Sequence, residues 1–129
     1  MSERHKSPLP FIKDIVDSVE KIGKYCQNMT YEQFLEDDKT KDAVVRNLEI
    51  IGEAAKNIPD HIKEISSETA WKSMAGMRDK LIHEYFGISY STVWETVKGD
   101  LPHLKESIRE LYNTIKAKED IEQEKRSAP

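Results

Sequence analysis

The chain has 129 residues, 20 basic against 24 acidic, and one cysteine. A length like this fits one domain that buries roughly two-thirds of its unfolded surface without disulfides or metal. A lone cysteine excludes an intrachain disulfide and a Cys-based zinc site, and a net charge of -4 argues against coating nucleic acid by bulk electrostatics, while leaving room for a local grip on a few phosphates.

No apolar run approaches the ~20 residues of a membrane span, and "MSERHKSPLP" at the start lacks the apolar core of a signal peptide. A cytoplasmic location is the expectation. Glycine is sparse and β-branched runs are short, so the sequence predicts an all-α protein. Residues 1–8 read as a flexible N-terminus, with Ser7 and Pro8 as the start signal for a first helix over 10–24. Phe11, Ile12, Ile15, Val16, Val19 and Ile22 recur at three- and four-residue steps and form one apolar stripe. Cys26 follows, and its neighbours offer no activating base, so it reads as a small buried hydrophobe. Thr30 and Gln33 spell a capping box that opens a short helix burying Phe34 and Leu35.

A longer helix is predicted over 39–57, where Val44, Leu48, Ile51, Ala55 and Ile58 alternate steps of four and three before Pro59 stops it. Arg46, Glu49 and Glu53 line a polar face, and Asn47 falls on the core side between Val44 and Ile51. "PDHIKEISSE" is a connector with room for one helical turn. A fourth helix is predicted over 68–85, ending at Gly87 as C-cap. The last helix opens at "SYSTVWE", where Thr92 and Glu95 fit a second capping box, and runs along Val97, Leu101, Leu104, Ile108, Leu111 and Ile115. Pro102, with Gly99 nearby, predicts a kink or break inside it. Residues 116–129, almost without apolar side chains, read as a charged tail that frays. The architecture is an up-and-down bundle of four main helices plus one short extra helix, forming one domain over residues 9–115. Its heptad-like stripes leave room for an intermolecular seam, hence a homodimer.

On the fourth helix the stripe runs Trp71, Met74, Arg78, Leu81, Tyr85. Arg78 therefore falls where an apolar residue belongs, and a buried arginine needs a carboxylate or an anion. His83 lies five residues on, ~140° around a straight helix, so the two share no face. Two accounts remain open from spacing alone. Arg78 and Asp79 pair with neighbouring helices while His83 complements a helix C-terminus. Alternatively, histidine moves a proton and arginine holds phosphate oxygens during metal-independent RNA cleavage, with Asp79 orienting either partner. His5, His61 and His103 are scattered, H-E-x-x-H is absent, and no glycine-rich phosphate loop is present. Trp71 and Trp94 read as core or interface anchors rather than base-stacking platforms.

The stretch "GMRDKLIHEYFG", residues 76–87, spells R-x4-H-x-Y with Arg78, His83 and Tyr85. It resembles the signature of HepT-type toxins in the HEPN superfamily of small helical ribonucleases, in which a polar residue such as Asp79 follows the arginine. "AVVRNLEIIGEAAKNIP" and "FIKDIVDSVEKI" resemble other segments of that family, so the likeness covers roughly residues 9–115 in matching order. It implies a HEPN-like fold and a toxin–antitoxin ribonuclease needing no cofactor. It also implies catalysis by Arg78 and His83 in a cleft completed at a homodimer interface, with tRNA as a substrate. The implied partner is an MntA-like minimal nucleotidyltransferase antitoxin, which transfers AMP from ATP to Tyr85. A catalytically inactive helical dimer that only binds the nucleotidyltransferase, and a purely structural dimer, are the alternatives.

Overall fold

The computed structural model describes residues 7–66, 71–76, 82–83 and 87–127, and of Ile82 and His83 only the backbone. Most of the N-terminus expected to be flexible, residues 1–6, lies outside the described residues.

Helix α1 spans Leu9–Tyr25. The Ser7 hydroxyl accepts from the Leu9 N–H at 3.0 Å, and Pro8 occupies the N-cap; proline sacrifices no bond there, because the first turn's N–H groups have no intrahelical partner. Ile12, Ile15, Val19 and Ile22 are buried, while Phe11 stays exposed at the edge of the stripe. Cys26 closes the helix and is buried. Asn28 takes the left-handed conformation at φ 60°, which asparagine tolerates better than most residues, and the chain turns back.

Helix α2, Tyr31–Glu36, opens with the expected box: Thr30 Oγ1 accepts from Gln33 N at 3.1 Å, and Gln33 Oε1 accepts from Thr30 N at 2.9 Å. It buries Phe34; Leu35, expected beside it in the core, is exposed because six residues present only one inward position. Asp37 ends α2 and caps α3, Asp38–Lys56, accepting from Thr40 N at 3.0 Å. Val44, Leu48, Ile51 and Ala55 are buried along α3, and Ile58 just beyond it. Asn47 is also buried, with its amide nitrogen donating to Ala43 O at 2.8 Å.

The connector forms a single turn, α4 (Asp60–Lys63), running into a 3-10 turn over Glu64–Ser66. Helix α5 covers Trp71–Ala75, with Trp71 and Met74 buried and the Trp71 indole N–H donating to Ser66 O at 3.2 Å. The helix predicted over 68–85 does not reach its expected end. Ile82–His83 (β1) and Gly87–Ile88 (β2) pair as a two-residue antiparallel ladder, with Ile82 opposite Ile88 and His83 opposite Gly87. Gly87, expected as a helix cap, instead starts the return strand at φ 76°, a conformation glycine adopts without steric cost.

Helix α6, Tyr90–Glu95, is capped by Ser89, whose hydroxyl accepts from Thr92 N at 3.4 Å. Thr92, expected as the cap, sits at the third helical position and is bonded to Ser89 through its own hydroxyl at 3.0 Å. A π-helical turn over Thr96–Asp100 leads into α7, Leu101–Ser127. This turn is the predicted disturbance: Pro102 has no N–H and its ring excludes the carbonyl four residues back, so the helix widens instead of breaking. Leu101, Leu104, Ile108, Leu111 and Ile115 face the core. Beyond Ile115 the chain remains helical to Ser127, where composition alone predicts fraying. Two side-chain links accompany that extension: Ser7 Oγ, at the other end of the sequence, donates to Glu119 Oε2 at 2.5 Å, and Lys116 pairs with Asp120 at 2.9 Å.

The class is all-α as expected. Helix α1 packs between α3 and α7, and α5 packs on α3, so the apolar stripes meet in one core. Among the described residues, no helix is long and apolar enough to cross a membrane.

Candidate functional site

Of the four residues singled out from sequence, Arg78, Asp79 and Tyr85 lie outside the described residues. His83 is placed by its backbone in β1, opposite Gly87. A residue in a ladder is not on a helix, so the ~140° separation from Arg78 that a straight helix imposes does not govern it. The unfavourable spacing therefore ceases to count against convergence of the two side chains.

Both flanks of this segment are held firmly. On the N-terminal side, Trp71 and Met74 bury α5 against α3, and the Trp71–Ser66 bond ties its start to the 3-10 turn. On the C-terminal side, the Ser89 cap sits next to β2, and α6 inserts two aromatic rings into a cluster. Phe34, fully buried, lies 5.1 Å from Trp94 and 6.3 Å from Tyr90 between ring centroids, and Tyr31 lies 6.0 Å from Trp94. Trp94 thus acts as the anchor expected of it. Separations of this size are attractive for tilted and edge-on aromatic pairs. They lock α2 to α6 beside the strand pair.

Sequence reasoning did not foresee that two lysines cover this cluster. Lys41 Nζ sits 4.7 Å from the Tyr90 ring centroid, and Lys98 Nζ sits 4.7 Å from that of Trp94. Lys98 also donates to Cys26 O at 3.3 Å, and Lys41 pairs with Asp38 at 3.2 Å. Lys98 meets Trp94 within one helical turn, but Lys41 and Tyr90 are 49 positions apart and Lys98 and Cys26 are 72, so no local pattern announces the whole arrangement. Burial pushes the Cys26 thiol up from its ordinary value, with Lys98 acting weakly in the opposite direction. A raised thiol fits a packed side chain and not a nucleophile.

Elsewhere, a groove of about 290 Å³ between α1 and α7 is lined by Lys13, Asp17, Glu20, Arg109 and Tyr112 among others. Its charges are internally matched, Lys13 with Asp17 at 2.9 Å and Arg109 with Glu20 at 3.3 Å. Among the described residues, no three His, Cys, Asp or Glu side chains gather where a metal could sit.

The molecule is thus a small helical bundle whose signature segment lies between two rigid anchors and includes a short strand pair. The sequence profile of the family described as "Ribonuclease HepT-like" matches residues 15–111. The chain is 46% identical over 111 residues to "Probable ribonuclease HepT" of Thermococcus cleftensis, a match covering 86% of this chain and 98% of the relative. It is 44% identical over 110 residues to "Putative RNase MJ1216" of Methanocaldococcus jannaschii, covering 85% and 91%. It is 42% identical over 106 residues to "Putative RNase TTE0752" of Caldanaerobacter subterraneus subsp. tengcongensis, covering 82% and 95%. No solved structure matches the chain. This chain belongs to the HepT-like ribonuclease family.

Proposed function

We propose that this protein is a metal-independent endoribonuclease acting in the cytoplasm as the toxin of a type VII toxin–antitoxin pair, with RNA, including tRNA, as substrate. The observation that carries this reading is an R-x4-H-x-Y signature, Arg78, His83 and Tyr85, inside the stretch that matches the family. In the proposed reaction the ribose 2′-hydroxyl attacks the adjacent phosphorus. The bond to the 5′-oxygen of the next nucleotide breaks, leaving a 2′,3′-cyclic phosphate and a 5′-hydroxyl. His83 takes the proton from the attacking hydroxyl and, as the imidazolium, returns one to the departing 5′-oxygen, tasks suited to a group that titrates near neutral pH. Arg78 stabilises the charge gathering on the non-bridging oxygens, which its planar fork of donors fits. Asp79 orients one of the two. A second copy of the chain completes the cleft.

Control resides in Tyr85. Its phenolic oxygen attacks the α-phosphorus of ATP, catalysed by an MntA-like nucleotidyltransferase, and pyrophosphate leaves. The product carries a bulky anionic phosphodiester beside the cleft, and this repels an RNA phosphate.

The test is cleavage of RNA in excess EDTA by the unsubstituted protein and by His83→Ala, together with mass spectrometry after incubation with the nucleotidyltransferase and ATP. Cleavage that survives EDTA, is lost in His83→Ala, and is silenced as Tyr85 gains AMP is the expected result. A requirement for Mg²⁺, or cleavage that survives His83→Ala, removes the assigned chemistry; AMP found on another residue removes the switch.

A further inference from the structure

We propose that Lys41 and Lys98, held over the rings of Tyr90 and Trp94, form a phosphate-gripping track that receives the RNA strand beside the candidate site; this rests on the ribonuclease reading above. Three observations converge. The first is position. His83 pairs with Gly87, and antiparallel partners stand roughly 5 Å apart between Cα atoms. Three residues take the chain from Gly87 to Tyr90, at most ~10 Å. The lysine-covered rings therefore begin a short run of nucleotides away from His83.

The second is pre-organisation. A surface lysine ordinarily samples many rotamers, and fixing it on a ligand costs that freedom. Both ammonium groups here are already held 4.7 Å above aromatic faces, and Lys98 is tied further to Cys26 O across 72 positions of sequence. The rings are in turn fixed through Phe34. Cation–π attraction leaves ammonium protons free to donate to phosphate oxygens.

The third is the charge of the surroundings. The chain carries -4 overall, so it cannot draw RNA over its whole surface. Glu32, Glu36, Asp37 and Asp38 border the cluster on α2 and the start of α3. These carboxylates repel a polyanion from the border and leave the two ring-held cations as the favourable path. Asp38, the current partner of Lys41, has a side chain 89% exposed; so hydrated a carboxylate holds its cation weakly and yields to a phosphate.

The experiment measures binding of a fluorescein-labelled single-stranded oligoribonucleotide of mixed sequence by anisotropy, across a salt series. It uses the full chain carrying His83→Ala, so that the probe is not consumed. Two phosphate contacts on a single strand contribute about 1.4 to the slope of log affinity against log salt, or about 25-fold in affinity near 0.1 M salt. Adding Lys41→Gln and Lys98→Gln should weaken binding by about that factor and flatten the slope by about 1.4; each single change should give about half the slope effect. Lys41→Arg with Lys98→Arg keeps both charges and should keep the slope. A steep slope that the glutamine variants leave unchanged overturns the track while the ribonuclease reading stands. Absence of RNA binding by His83→Ala, with no cleavage by the unsubstituted chain, removes the ribonuclease reading and the track with it.

Discussion

Phe34→Ala is expected to cost a large share of the stability of the fold. The side chain is fully buried, and its ring touches two others, at 5.1 Å from Trp94 and 6.3 Å from Tyr90. Truncating a buried phenylalanine costs about 3–5 kcal/mol through lost transfer energy and the residual cavity, and each aromatic pair adds about 0.5–1.5 kcal/mol. A loss of about 5 kcal/mol is a large share of the roughly 5–15 kcal/mol by which a domain of this kind is stable. At about 2.1 cal/mol/K per residue the unfolding entropy of 129 residues is roughly 0.27 kcal/mol/K, so Tm should fall by about 15–20 °C. Urea and thermal unfolding followed by circular dichroism measure this directly. The same variant in a Trp71→Phe background leaves Trp94 as the sole tryptophan, whose emission should shift to the red as water reaches the ring. A loss under about 2 kcal/mol with unshifted emission would refute the reasoning, because it would mean that α2 does not anchor α6.

Gly23→Ala lies in the last turn of α1, where a Cβ meets nothing within 4 Å; it should stabilise the fold by about 0.4–1 kcal/mol, raising Tm by about 1–4 °C, and a fall in Tm would count against the open space seen there. Asp37 is held below the ordinary carboxyl value of 3.8, first by the N–H of Thr40 that it caps and then by the Thr40 side chain. A lowered folded pKa contributes stability that is present above the unfolded value and lost as pH falls through the folded one. Asp37→Asn keeps the cap acceptor, so the variant should show a shallower loss of stability below about pH 4. Identical acid limbs in the two denaturation series would contradict this.

Much of the fold is legible in the sequence because its determinants are local. The stripe of Ile12, Ile15, Val19 and Ile22 needs only the 3.6-residue period to be recognised. The Thr30–Gln33 box needs only two side chains three residues apart. Pro102 announces its own disturbance, and tertiary context decides only that the response is a π-helical turn. At Ser89 and Thr92 the sequence offers two hydroxyls able to cap one helix, and the residue next to β2 takes the role. Leu35 shows the limit of the apolar count: a six-residue helix has a single inward position, and Phe34 fills it.

The candidate site divides the same way. The residue types in "GMRDKLIHEYFG" suffice to propose chemistry, because proton transfer and phosphate binding demand histidine and arginine wherever the chain puts them. Their geometry is not readable from the helical period. Ile82 and Ile88 flank Gly87 as a hairpin would require, yet the Trp71–Met74 periodicity continues smoothly into the segment and masks that signal. The strand pairing of His83 with Gly87 depends on a hydrogen-bonded return that no single-helix pattern encodes. Lys98 reaches the Trp94 ring within one helical turn, but the rest of the arrangement depends on contacts across the fold: Lys41 from α3 meets Tyr90 of α6, and Lys98 reaches back to Cys26 at the end of α1. The helices over 9–25, 31–36 and 38–56, the Thr30–Gln33 box and the chemical alphabet of the site were determined by the sequence alone, since each rests on neighbours within one or two turns. Which side chains share a surface was decided by tertiary structure, because it depends on how distant apolar faces pack.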